Sequence, residues 1–171
     1  NLLMFGSAAS GKSYAMRWDA YLRSLMIPQF RSLIVRRSMP ELMLSHLERV
    51  PFEVQRMGLN KEAWDASEFV LRFPNGSRLK FRHVEDDNAL AEYLSSEFDA
   101  IYFDELVTFT QRQFLFLSSR ARTDKPGIKP IVRAGTNPIG MGAAWVKRMF
   151  IDKNITRKEL PGYDPNDYET L

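Results

Sequence analysis

The chain has no cysteine, which excludes disulfides and thiolate zinc sites. Its two histidines, His46 and His83, are too few and too separated to suggest a metal cage. No apolar run reaches the length of about 18 residues that a membrane-spanning helix needs. No charged-then-apolar leader with a small-residue cleavage site opens the sequence, so a soluble cytoplasmic protein with no membrane partner is expected. Internal repeats and low-complexity tracts are also missing. What is present is 171 residues with 44% hydrophobic content, which suits one globular domain with a sizeable core. The net charge of +3 is unevenly spread: residues 85–110 hold acids and no Lys or Arg, and the segments on either side are mostly basic. Basic surface of this kind can track a phosphate backbone, although solvated faces explain most such stretches.

The most informative segment is Gly6-Ser7-Ala8-Ala9-Ser10-Gly11-Lys12-Ser13. It has the spacing of a phosphate-binding loop, lies between the apolar run Leu2-Leu3-Met4-Phe5 and a helical pattern, and so has the strand-loop-helix context the motif requires. Its glycines permit backbone conformations in which successive N–H groups wrap a polyphosphate. Lys12 is expected on the β- and γ-phosphates of ATP or GTP, and Ser13 on Mg²⁺, at the positive end of a helix. Further on, Phe98-Asp99-Ala100-Ile101-Tyr102-Phe103 reads as a buried strand ending in Asp104-Glu105. Carboxylates at such a strand end sit where open α/β sheets bind ligands. Asp104 is expected in the Mg²⁺ shell and Glu105 as the base that orients and deprotonates water.

The remaining pattern is β-α-β-α at first. Ala15, Trp18, Leu22, Leu25 and Met26 recur at helical spacing and are expected to be core, with Pro28 ending the helix. Ser32-Leu33-Ile34-Val35 reads as a buried strand ending at Arg36-Arg37. Ser38-Met39-Pro40-Glu41 matches a capping box that begins a helix running towards Pro51. Asn75-Gly76, between Phe69–Phe73 and Arg78–Arg82, signals an inserted hairpin with Arg78, Lys80 and Arg82 on one face, and a solvated cationic edge is the expectation there. Thr110 to Gln113 is a second capping box, for a helix ending near Ser118-Ser119-Arg120-Ala121-Arg122. Pro130 to Gly135 reads as a strand closing in Thr136-Asn137-Pro138, whose polar pair is expected at the γ-phosphate or the attacking water, or in a turn.

In this order the motifs resemble the ATPase domain of the large terminase subunit of tailed bacteriophages, the motor that packages DNA into capsids. The matching residues are the loop Gly6 to Ser13, Arg36-Arg37 leading into a helix, Phe103-Asp104-Glu105 and Ser119-Arg120-Ala121-Arg122, followed by Gly135-Thr136-Asn137-Pro138 with Gly142, Trp145, Val146 and Phe150. The resemblance implies an α/β P-loop NTPase of the additional-strand type over residues 1–155, with a mainly parallel sheet flanked by helices. Residues 156–171 are expected to be a linker towards a nuclease domain. It further implies Glu105 as catalytic glutamate and Thr136-Asn137 as a coupling motif that links γ-phosphate state to movement on double-stranded DNA. Implied partners are the capsid portal and the small terminase subunit, with a homo-oligomeric ring in the cytoplasm of the infected host. Unlike some family members, this loop holds no arginine, so the stabilising arginine is expected from elsewhere, Arg120 or Arg122, in cis or across a ring interface. A nucleotide kinase, a helicase-like motor and a nucleotide-gated docking module remain alternatives.

Overall fold

The computed structural model describes residues 1–6, 11–156, 158–160 and 163–170. Ser7, Ala8, Ala9 and Ser10 of the expected phosphate loop lie outside the described residues, as do Arg157, Pro161, Gly162 and Leu171 of the expected linker. Strand β1 (Leu2–Phe5) leads through the glycine loop to helix α1 (Lys12–Met26) and then to β2 (Arg31–Arg36). Helix α2 (Met39–Leu42) passes through a π-helical turn, Met43–Leu47, towards α3 (Val50–Arg56). The strands β3 (Trp64–Asp65), β4 (Val70–Arg72) and β5 (Arg78–His83) follow. Then come β6 (Ala100–Asp104), α4 (Gln111–Ser118), β7 (Ile131–Thr136), α5 (Ala143–Val146) and β8 (Glu169–Thr170).

The strands form one sheet in the order β3-β4-β5-β2-β6-β7-β1-β8. Only β3–β4 and β4–β5 pair antiparallel; the other pairs are parallel. Strand β7 stands between β1 and β6, which is the additional-strand arrangement expected. All five residues of β6 are buried because both faces of the sheet are covered. Ala100 and Tyr102 pack with Met16, Ala20 and Tyr21 of α1, whereas Ile101 and Phe103 pack with Phe114 and Leu117 of α4 and with Val146. The row β2-β6-β7-β1 aligns four carboxyl ends along one edge, and the candidate site lies there.

Several local expectations need correction. On α1 the buried positions are Met16, Arg17, Ala20, Tyr21 and Ser24, while Leu22, Leu25 and Met26 are exposed. Both stripes have helical spacing; the one turned inward carries Arg17, which is held by Glu53 of α3. Ser38 does not cap the α2 backbone. Its hydroxyl donates to Glu41 Oε2 at 2.9 Å instead, and Pro40 offers no N–H. Pro51 lies at the start of α3 rather than at a helix end. The capping box at Thr110 forms with both of its hydrogen bonds. The hairpin forms about Gly76 (φ 83°), but β5 is no edge, because its other side pairs with β2.

Residues 163–170, expected to be part of a linker, pack onto the domain. Tyr163 and Tyr168 are buried, Tyr163 donates to the Met149 carbonyl at 2.8 Å, and β8 extends the sheet beside β1. Tyr168 against Phe150, with Tyr163 packed on Tyr168, outweighs the turn chemistry of Pro165 and Asn166, on which the linker expectation rested.

Candidate functional site

Gly11 adopts a left-handed conformation (φ 80°) immediately before α1, which a residue with a Cβ enters only with strain. The turn aims the first helical residues at the sheet edge. Lys12 Nζ donates to the Gly6 carbonyl and to Asn137 Oδ1, each at 3.0 Å. Ser13 Oγ donates to Asp104 Oδ2 at 2.9 Å.

Asp104 is 1% exposed and unequally bonded. Its Oδ2 receives Ser13, His46 Nε2 at 3.0 Å and Arg36 Nε at 3.3 Å, whereas Oδ1 is buried with no hydrogen-bond partner among the described residues. Burial alone would raise the Asp104 pKa, but the hydrogen bond from His46, then Arg36 and Ser13, hold the carboxyl below its ordinary range. The group is therefore an anion with one oxygen held by the protein and the other without a hydrogen-bond partner among the described residues. With the Ser13 hydroxyl beside it, the donors are hard oxygens of the kind Mg²⁺ prefers. Among the described residues no group of three His, Cys, Asp or Glu is placed to hold a metal ion, so an ion here would draw further ligands from phosphate and water.

His46 sits on the π-helical turn and is fully buried. Its Nδ1 lies 3.3 Å from Arg17 Nη1, and a guanidinium can only donate, so Nδ1 accepts and the proton resides on Nε2, which donates to Asp104. Burial lowers the His46 pKa, opposed by Asp104, which favours this neutral tautomer. Behind it, Arg17 makes two 2.9 Å bonds to Glu53, and Tyr21 OH donates to Glu53 Oε2 at 2.7 Å. A buried polar chain thus runs from Asp104 through His46 and Arg17 to α3. The sequence reading set His46 aside. Fifty-eight residues separate it from Asp104, and the only local hint was a histidine between the apolar positions Leu42, Leu47 and Val50.

Glu105 follows Asp104 with φ 59°, in the left-handed region, where a non-glycine residue is uncommon. Asn137 Nδ2 donates to its Oε1 at 3.0 Å, and Thr108 Oγ1 donates to its carbonyl at 2.7 Å. Thr136 is fully buried. Its hydroxyl accepts from Val107 N at 3.3 Å and donates to the Asn137 carbonyl at 3.0 Å, so it braces the Glu105 turn instead of facing a ligand.

Arg120 and Arg122 are far from this edge. They flank Ala121, which pairs with Phe98 six residues before Asp104, or about 20 Å away along β6. Arg120 bonds Leu94 O and Ser119 Oγ, and Arg122 bonds Ser119 O. This placement corrects the expectation that either acts in cis. An arginine in contact with Asp104 at the edge is Arg36, only 14% exposed, with Nη1 buried and without a hydrogen-bond partner among the described residues, whereas the adjacent Arg37 donates to Val84 O and Gln113 Oε1.

Sheet order, the turn before α1 and the carboxyl-edge cluster together define an α/β domain of P-loop NTPase architecture. The chain belongs to the phage terminase large subunit family, whose pattern matches residues 2–169. Among solved structures, the large terminase from a thermophilic bacteriophage superposes with a TM-score of 0.70 at 14% identity, covering 100% of this chain and 39% of that one. The same terminase in complex with ADP gives 0.68 at 12% identity, with coverage of 100% and 39%. A mutant ATPase domain of the Thermus phage P74-26 large terminase gives 0.62 at 14%, covering 99% and 74%. At such identities the likeness is one of fold. No curated protein matches the sequence.

Proposed function

We propose that this chain is an ATPase that hydrolyses Mg-ATP to drive double-stranded DNA into a capsid. The observation that carries the reading is the bridge made by Asn137 between Lys12 and Glu105, beside the Ser13–Asp104 pair. One amide ties a phosphate-binding cation to a candidate base, which is the connection a hydrolase needs between nucleotide binding and water activation. The solved large terminase complexes with ADP and with ATP-γ-S are in keeping with nucleotide binding.

On this reading Lys12 exchanges the Gly6 carbonyl and Asn137 for the β- and γ-phosphates. Ser13 Oγ and Asp104 Oδ1 would hold Mg²⁺, which neutralises phosphate charge when bound. Glu105 accepts the proton of the attacking water, oriented by the Asn137 amide. Arg36, one strand over, adds positive charge close to where negative charge develops. Arg120 and Arg122, at the opposite end of the sheet, retain a role only across an interface between copies. Departure of Lys12 from Asn137 frees one side of that amide, which gives the γ-phosphate a route to the Glu105 turn and to Thr136. DNA, the capsid portal, the small terminase subunit and a ring of copies enter this proposal through family membership.

The test is phosphate release from Mg-ATP by the purified chain, titrated in protein, with and without linear double-stranded DNA, beside Glu105→Gln. A rate per protomer that rises with DNA or protein, together with a variant that binds ATP but turns over about 10²- to 10⁴-fold more slowly, is expected. Unchanged turnover in Glu105→Gln removes Glu105 from the mechanism. A wild-type rate indifferent to DNA and protein concentration removes the motor.

A further inference from the structure

Cations at alternate positions of a strand commonly protect an exposed edge from pairing. That explanation fails for β5, which is bonded to β4 on one side and to β2 on the other. Leu79 and Phe81 enter the core shared with α1, and Arg78, Lys80 and Arg82 occupy the opposite face. The register sets Arg78, Lys80 and Arg82 beside Arg31, Leu33 and Val35 of β2. On that face α4 and α5 pack over β2, β6 and β7, through Leu33, Val35, Ile101, Phe103, Val132 and Ala134. Next to β5 a groove of about 190 Å³ opens instead, lined by Arg31, Arg78 and Lys80 with Ser96, Glu97 and Phe98.

The charges in this groove are not equivalent. Arg31 is engaged by acids, with Asp124 at 3.1 Å, Asp99 at 3.7 Å and Glu97 at 3.8 Å. Among the described residues Arg82 donates only to carbonyl oxygens, those of Glu68 and Phe81, which fix the side chain without cancelling its charge. The side chains of Arg78 and Lys80 have neither a hydrogen bond nor an ion pair among the described residues. Burial, then the neighbouring Arg82 and Arg78, lower the Lys80 pKa, with Glu68 opposing, so like charges crowd on this face with little compensation. An arrangement that costs repulsion on an interior strand is accounted for by an anionic partner.

Alternate strand residues are spaced about 6.6 Å apart, so Arg78 to Arg82 spans about 13 Å, the axial rise of roughly four nucleotides on one DNA strand. A rigid row of charges without an apolar anchor of its own suits a phosphate backbone better than a protein surface, whose binding energy concentrates in buried aromatic or aliphatic anchors. We propose that Arg78, Lys80 and Arg82 form a contact surface for the phosphate backbone of duplex DNA, with Arg78 and Lys80 making the ionic contacts. This rests on the reading of the chain as a DNA motor. The row also ends beside the nucleotide site, since His83 lies opposite Arg36 in the β2–β5 register and Arg36 touches Asp104.

The test is duplex DNA binding by fluorescence anisotropy across a potassium chloride series, for wild type, for the double variant Arg78→Gln with Lys80→Gln, and for the charge-preserving pair Arg78→Lys with Lys80→Arg. Glutamine at both positions is expected to weaken binding and to reduce the slope of log K against log salt by about 2, near 0.9 for each lost phosphate contact. The charge-preserving pair keeps the wild-type slope, and DNA-free ATP turnover stays at wild-type level in both. Wild-type affinity and slope in the glutamine pair overturn the proposal, as does a change in oligomeric state with DNA binding intact, which would point to a second protein surface. Failure of the motor reading shows separately, as phosphate release by wild type that is indifferent to DNA and protein concentration.

Discussion

Asn137 Nδ2 donates to Glu105 Oε1 at 3.0 Å, while the same amide accepts from Lys12. A carboxylate at this position could accept from Lys12 but could not donate to Glu105, and it would set two negative charges together. Asn137→Asp is therefore expected to lower kcat by about 10²-fold, the scale of losing the position of a reacting group, with a smaller change in ATP affinity. Single-turnover phosphate release checks it. Equal kcat in the variant would leave the bridge without a role in turnover.

His46→Ala removes one of the donors that hold Asp104 Oδ2 and leaves Arg17 Nη1 with the Ser45 carbonyl alone. Asp104 Oδ2 would then keep only Ser13 and Arg36, and the orientation of Oδ1 would be held less firmly. Affinity for Mn²⁺ in the presence of nucleotide, read by electron paramagnetic resonance, is expected to fall by about 10- to 100-fold. Wild-type Mn²⁺ affinity in a folded variant would show that His46 only fills space.

Asp99 is fully buried at the amino end of β6, where its Oδ2 accepts from Lys125 Nζ at 2.8 Å and from Arg31 N at 2.7 Å. Burial would raise its pKa, but hydrogen bonds from Lys125, Thr123 and Arg31 prevail and hold it below the ordinary value. Because the folded pKa is depressed, the group's stabilisation is present above the unfolded value of about 3.9 and is lost as pH falls through the folded one. Asp99→Asn is expected to destabilise the protein at pH 7 by about 1–3 kcal/mol and to approach wild type in acid. Urea midpoints at several pH values decide it; a constant difference would exclude titration of Asp99 as the cause.

Gly142 has no room for a side chain. A Cβ there would meet Trp145 Nε1 at 2.6 Å and the carbonyl oxygens of Phe109 and Val107 at 2.8 and 2.9 Å, two of the three being backbone that cannot swing aside. Gly142→Ala is expected to cost about 1–3 kcal/mol, seen as a lower melting temperature by circular dichroism. Gly135→Ala is expected to cost less, because its nearest obstacle is the terminal methyl of Met16, which is flexible. Comparable losses at the two positions would contradict this account.

Much of the candidate site was legible because its signals are local. A glycine loop between a strand and a helix, and an Asp-Glu pair closing an apolar run, need only spacing and periodicity to be read. Arg36 was noted only as part of a strand-end pair, and His46 was passed over, because their meeting with Asp104 depends on how α2 and the π-helical turn fold back over β2. The inner face of α1 was misjudged because two apolar sets shared one helical period, and contact with Glu53 settled which turned inward.

The sequence by itself determined β1, β2, β6, β7, the hairpin and the capped helix α4, and marked the expected phosphate loop and the strand-end carboxylates, since each follows from backbone conformation and apolar patterning over a few neighbours. Only the tertiary structure decided which residues share an edge. The parallel crossovers that set β6 and β7 between β2 and β1 bring Lys12, Arg36, Asp104 and Asn137 together and carry Arg120 and Arg122 to the opposite end. Hydrogen bonds between parallel strands join residues distant in the chain, and no local propensity encodes that pairing.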